Sequence, residues 1–221
     1  MKDTGNIIRS QAEKIIRTQR AIIFALSSLS EIRDHGTGIH LRRIQEYSVL
    51  LAQLLRSSNK LIDDEYLRNI YDASVLHDIG KVGIEDSILL KNRGLTDKEF
   101  EVMKEHPEIG YKIFKSVTKE IGTNGLIKTA LEIILHHHEN WDGSGYPKGL
   151  TKNKIPLSAR IVMVGDCYDA LTSERPYKEA FSHEKTINIM KEDVHKFDPK
   201  IFRVFIENED EFRKIREEFI E

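Results

Sequence analysis

The chain has 221 residues, 39% apolar and 32% charged, with a formal net charge of −2; that suits one large domain, or one domain with a helical arm, under a well-solvated surface. The near-neutral balance gives no global basic field to recruit a nucleic-acid polymer, so an anionic substrate needs local cations. The single cysteine, Cys167, excludes an internal disulfide, no apolar run approaches the ~20 residues of a membrane span, and the polar N-terminus lacks a signal-peptide core, so a cytoplasmic chain is expected, which also fits a piece of a larger signalling protein.

Nearly every long segment reads as helix, and no clean period-2 strand stands out. Ile8, Ala12, Ile15, Gln19, Ile22, Leu26 and Leu29 recur at alternating spacings of four and three, a heptad stripe interrupted by Gln19. It fits a helix packed on its own domain, and equally a dimer seam or a signalling helix from an upstream sensor. Residues 1–30 are therefore set apart as an N-terminal helix, and 31–221 as the main domain. Gly36 and Gly38 break the chain. A second helix is expected from Ile39 to Leu55, with Thr37 as N-cap and His40, Ile44, Tyr47, Leu51 and Leu55 inward.

A third helix is expected from Asp64 to Ile79, ending at Gly80 and carrying Leu67, Ile70, Ser74 and His77 on its inner face. Thr96 and Glu99 form a capping-box pattern. That helix should stop near His106, and Pro107 should open the next one. A helix from Leu126 to His138 runs into the Gly-rich turn Asp142-Gly143-Ser144-Gly145-Tyr146-Pro147. Ser158–Leu171 is helical, and Pro199–Glu221 reads as one acidic amphipathic helix.

Imidazoles and carboxylates fall on the apolar faces of these helices, where they are costly unless something pairs with them. His137 follows Leu126, Ala130 and Ile133; His138 follows Ile127, Leu131 and Ile134. Both point inward, whereas His136 lies on the polar side and is expected to face water. Asp166 and Asp169 stack on one face with Val162 and repel unless a cation lies beside them. Donors of this kind without thiolate suit Fe, Mn, Zn or Ni rather than a structural zinc site, and Cys167 is turned away from Asp166. Two ions bridged by one Asp can activate water and clamp a phosphate. Lys81 follows His77 by four residues and could neutralise phosphate charge. Arg175 and Lys178 could grip a second phosphate.

The stretch from about Arg33 to Pro199 resembles the HD-GYP family, the cyclic-dinucleotide branch of the HD phosphohydrolases. The resemblance is carried by His40, His77-Asp78 and Asp166, by LHDIGKVGI at 76–84, HPEIG at 106–110, HHENWDGSGYPKGL at 137–150, IPLSARIVMVGDCYDALTSERPYK at 155–178 and FDP at 197–199. It implies an all-α HD-type helical bundle, with the N-terminal helical arm and a C-terminal helix. It implies metal ligation by His40, His77, Asp78, His106, His137, His138 and Asp166, with Asp166 as the bridge. Lys81, with Asp78 and Asp166, would serve catalysis. Tyr146, Arg175 and Lys178 would bind the dinucleotide, with Asp169 supporting the site by hydrogen bonding. The Gly143–Pro147 loop would line the cleft and offer a surface for signalling partners. In family members holding three metals a glutamate lies four residues before the histidine matched here by His40. This chain has Gly36 there, beside His35, so two divalent ions are expected.

The resemblance thus implies a metal-dependent phosphodiesterase acting on cyclic di-GMP or the mixed GMP–AMP cyclic dinucleotide, giving the linear dinucleotide and, in some members, mononucleotides. One rival is a regulatory module of the same fold that binds metal or ligand and contacts signalling proteins. A second is a phosphohydrolase for nucleotides or other phosphate esters.

Overall fold

Helices carry all the regular structure among the described residues of the computed structural model, which are 2–33, 38–174 and 179–219, and no strand occurs among them. The all-α expectation holds. Thr37, the expected N-cap, and His35, Gly36, Arg175 and Lys178 lie outside the described residues.

Helix α1 (Lys2–Arg33) is a long arm. Its last turns dock on the body through Ile23 and Phe24, through buried Ser27, Ser30 and Glu31, and through an ion pair from Arg20 to Asp72 at 2.8 Å. The heptad stripe lies on a different face. Ile15, Ile22, Leu26 and Leu29 are all exposed, so this stripe is not the surface that packs on the chain's own domain.

Helix α2 (Gly38–Leu55) is the central post. Leu41, Ile44, Tyr47, Ser48, Leu51, Ala52 and Leu55 are buried along it at helical spacing. Each large aliphatic side chain there contributes about 1.5–3 kcal/mol by leaving water. Helix α3 (Asp64–Ser74) starts at an Asp63 cap, whose side chain accepts from the Tyr66 amide at 2.8 Å. It ends at Ser74, short of the expected Ile79. The bonds beyond that point run three residues back, Leu76 to Ala73, His77 to Ser74 and Ile79 to Leu76. His77 Nδ1 also donates to the Ser74 carbonyl at 2.9 Å, competing for the acceptor that the next α-turn would use. His77 and Asp78 therefore sit on a tight turn leading into a 3₁₀ segment, Ile79–Gly83.

Short α4 (Asp86–Leu89) and α5 (Asp97–Met103) follow. Thr96 and Glu99 form the reciprocal capping box expected for α5. Helix α6 (His106–Ile121) begins with Pro107 in its first turn, and α7 (Gly125–His136) is capped by Asn124. Gly80 and Gly110 let the 79–83 turn lie directly on α6. A Cβ at Gly80 would collide with the His106 carbonyl and the Gly110 amide. This contact fixes the His77-Asp78 turn against His106.

Helix α8 (Leu157–Thr172) crosses α2, where Gly165 allows close approach: a Cβ there would sit 2.9 Å from that of Tyr47. Helix α9 (His183–Glu192), which the sequence pattern does not announce, starts at a Ser182 cap. The expected single C-terminal helix is two, α10 (Pro199–Glu207) and α11 (Glu209–Glu218). Asn208 separates them, its side chain donating to the Val204 carbonyl at 2.8 Å. The break lets Phe205 and Phe212 meet edge to face at 4.7 Å, with Tyr47 stacked on Phe212 at 5.2 Å.

Candidate metal centre

Five elements bring the predicted donors together: the start of α2, the His77-Asp78 turn, the start of α6, the end of α7 and the middle of α8. Asp78, His106, His137 and His138 form one group, and His40, His77 and Asp166 form another. Within each group one ligand-capable atom per residue lies within 4.8 Å of all the others. The groups meet at the turn. Asp78 Oδ1 lies 3.1 Å from His106 Nε2 and 3.5 Å from His137 Nε2. Asp78 Oδ2 lies 3.3 Å from His77 Nε2, and that nitrogen is 3.7 Å from Asp166 Oδ1. Asp78 is thus the carboxylate seen here between the two groups, the position that the resemblance gives to Asp166. It has one oxygen toward each group because it sits on the turn between α3 and α6, whereas Asp166 on α8 reaches only the His40/His77 side.

The tautomers are set by the backbone. Nδ1 of His77 faces the Ser74 carbonyl at 2.9 Å, that of His106 faces the Met103 carbonyl at 2.8 Å, and that of His137 faces the Ile133 carbonyl at 3.0 Å. A carbonyl only accepts, so each Nδ1 carries the hydrogen and each Nε2 lone pair is left for an ion. His40 follows the same logic with a carboxylate: its Nδ1 lies 2.7 Å from Asp169 Oδ2. Asp169 is in turn gripped by the buried Arg43, through Nε and through Nη2 at 3.0 Å, and by Ser173 Oγ at 3.2 Å.

The charges are arranged for cation capture. Burial alone would raise the Asp78 carboxyl, but Lys81 and His77 hold it well below the usual range; Lys81 Nζ is 2.8 Å from Asp78 Oδ2. Burial works against a charged His77, yet Asp78, then Asp166 and Glu31, outweigh it and push the imidazole up to about 10. His40 is raised as well, since Asp169 and then Glu31 overcome its burial. His137 and His138 are lowered, chiefly by burial. His77 Nε2 and Asp78 Oδ1 are buried without an aligned hydrogen-bond partner. Orphaned donor atoms of opposite character crowded at 3–4 Å fit a divalent ion between them.

The Gly-rich turn closes over this centre. Glu139, 1% exposed, accepts from the Lys148 and Leu150 amides at 2.7 and 2.8 Å and so ties the loop ends together. Gly145 lies on the 138–140 backbone, where a Cβ would strike the His138 carbonyl and the Asn140 amide. Tyr146 is thereby stacked on His138, with centroids 4.7 Å apart, and Phe100 and Lys104 stand beside it.

One expectation changes. His136 does not face water: its side chain is 15% exposed, with Nδ1 3.7 Å from Glu139 Oε1, and burial lowers its pKa. Asp169 is 1% exposed behind His40, its oxygens already engaged, so it supports the donor set rather than touching substrate. Sequence reasoning missed Arg43, Glu139 and Glu31. Arg43 carries a faint signal, lying three residues after His40 on the same apolar face.

A family model described as HD domain matches residues 7–201. The chain is 43% identical over 216 residues to a cyclic di-GMP phosphodiesterase of Vibrio cholerae, covering 96% of this chain and 44% of that protein. It is 38% identical over 195 residues to a cyclic di-GMP phosphodiesterase of Thermotoga maritima, covering 88% and 50%. It is 36% identical over 200 residues to the 3'3'-cGAMP-specific phosphodiesterase 2 of Vibrio cholerae, covering 90% and 36%. The chain thus spans at most about half the length of these relatives. Among solved structures, a cyclic GMP-AMP specific phosphodiesterase of V. cholerae superposes with a TM-score of 0.56 at 18% identity, covering 87% of this chain and 52% of that one, a likeness of fold. The chain belongs to the HD domain family, whose HD-GYP branch is the part its motifs resemble.

Proposed function

We propose that this chain is a metal-dependent phosphodiesterase that opens a cyclic dinucleotide, cyclic di-GMP first, to the linear dinucleotide. One observation carries the reading: two donor groups share the His77-Asp78 turn, with Lys81 at their edge and Tyr146 over one of them. Relatives that match nearly the whole chain are named for this reaction.

Asp78, His106, His137 and His138 would hold one divalent ion, and His40, His77 and Asp166 a second, with Asp78 between them. Fe or Mn suits these nitrogen and oxygen donors, and Zn or Ni can bind the same set. Bound ions of this kind supply Lewis acidity and an activated water for in-line displacement at phosphorus. Lys81 places a positive charge beside Asp78, where it can meet a non-bridging phosphate oxygen. Tyr146 offers a ring face and a hydroxyl at the mouth. Arg175 and Lys178, assigned through the resemblance, would receive the distal phosphate. Asp169 and Arg43 fix the His40 ring.

The exposed Ile15, Ile22, Leu26 and Leu29 stripe supports pairing of α1 with a second copy. The greater length of the relatives supports an upstream sensor or receiver domain, with residues 1–30 as the connecting arm and 31–221 as the catalytic unit. No described helix is long and apolar enough to cross a membrane, and a cytoplasmic setting suits a nucleotide substrate.

The test is turnover of cyclic di-GMP by anaerobically purified protein given Fe(II) or Mn(II). Linear dinucleotide should accumulate and a chelator should stop it. Metal-loaded protein that binds cyclic di-GMP without cleaving it would identify a regulatory module. Faster hydrolysis of mononucleotides than of cyclic dinucleotides would identify a general phosphohydrolase.

A further inference from the structure

The geometry points to Glu31, on α1, as a further carboxylate of the metal centre, serving the ion assigned to His40, His77 and Asp166. The inference rests on the metal-centre reading above and extends it to a residue outside the donor groups.

Glu31 is 5% exposed, and its Oε1 is buried with no hydrogen-bond partner. No ion pair to a described residue satisfies it either, whereas Asp78 has Lys81 and Asp169 has Arg43. A buried carboxylate without such a partner is costly. The position is nonetheless enforced. Ser30 Oγ donates to the Asp78 carbonyl at 3.4 Å. Arg33 donates through Nη1 to the Val82 carbonyl and through Nη2 to Asp86 Oδ1, both at 2.6 Å. The last turn of α1 is thus stapled to the His77-Asp78 turn on both sides of Glu31. His40 and His77 lie within electrostatic reach of Glu31. These residues belong to the group with three donors, while the other group has four. A divalent ion there, bonded to Glu31 or to a water held by it, would satisfy the orphaned oxygen and complete the poorer group. α1 would then be coupled to the centre: an arm displaced from the body would carry away a carboxylate.

The experiment compares wild type with Glu31→Gln, close in shape and uncharged, stripped of metal and then titrated with Mn(II). The readouts are ions bound per chain, affinity by competition with a chelator, and melting temperature. Wild type should bind two ions. Glu31→Gln should keep one and bind the other at least tenfold more weakly. Metal-free Glu31→Gln should melt at or above metal-free wild type, because an unpaired buried charge is gone, and should gain less on adding Mn(II). Glu31→Asp keeps the charge on a shorter arm and should also weaken a single ion, so the assignment stays testable if Glu31→Gln does not fold. Wild-type affinity for both ions in either folded variant overturns it, as does equal destabilisation with and without metal. If wild type takes up no ion, the metal-centre reading itself fails.

Discussion

His40 on α2 and Asp169 on α8 are joined at 2.7 Å, Nδ1 to Oδ2, and Arg43, one turn along from His40, grips the same carboxylate. The pair orients the ring so that Nε2 faces the ion site, and it raises the basicity of that nitrogen. Asp169→Asn should weaken metal retention by about 10–100-fold, the usual cost of losing such a partner. At saturating metal the KM for cyclic di-GMP should stay unchanged. Metal titration and steady-state kinetics on the same preparation check this. A raised KM with normal metal affinity would place Asp169 at the substrate instead.

Asp78 and Asp166 separate by role. Asp78→Ala removes a residue with an oxygen toward both groups and should abolish binding of both ions and activity together. Asp166→Ala takes a donor from the His40/His77 group alone and should leave one ion in place with activity lost. Elemental analysis of the purified variants decides. Full metal content in Asp166→Ala would remove it from the donor set.

Much of this centre is legible in the sequence, because His77, His137 and His138 follow apolar helical faces and His106 stands just before Pro107 at a helix start, and burying an imidazole there needs a reason. The parts that escape have local physical causes. The end of α3 at Ser74 depends on the His77 ring competing for a carbonyl, which periodicity does not register. Arg43 reads as a solvated charge until Asp169 arrives from a distant helix. Glu139 is hidden beside three histidines, and its role exists only once the Gly-rich turn folds back onto it. Glu31 belongs to a helix whose apolar heptads draw attention to the opposite face.

Metal uptake should release protons. In the metal-free fold His77 is pushed up to about 10, above an unfolded value near 6.5. Its contribution to metal-free stability is therefore fully present below about pH 6.5 and is lost as pH rises through about 10. An ion needs the neutral Nε2, so binding at pH 7.5 should expel about one proton from His77, and affinity should rise from pH 6.5 toward 9. Calorimetry in buffers of different ionisation enthalpy measures this. Binding without proton release at pH 7.5 would mean that His77 is not a ligand.

Gly80→Ala should be costly despite its small size. The added methyl meets the His106 carbonyl and the Gly110 amide, backbone atoms with nowhere to go, so the turn and α6 must part. The melting temperature should fall by several degrees, at about 2–4 °C per kcal/mol for a chain of this size. The Asp78/His106 group should also lose metal affinity. Thermal unfolding together with chelator competition tests both, and a wild-type melting curve would mean that this contact does not set the turn.

Tyr146→Ala removes the ring stacked on His138 without touching a donor atom. It should raise KM for the cyclic dinucleotide severalfold and leave metal content unchanged. Loss of metal in this variant would make Tyr146 a structural lid on His138.

The most direct measurement is the number of ions per chain in anaerobically purified protein, by elemental analysis with anomalous scattering to place them. Two ions should be found, one among Asp78, His106, His137 and His138 and one among His40, His77 and Asp166, with Asp78 between. A chain that carries none and takes up none from excess Fe(II) or Mn(II) would contradict the account.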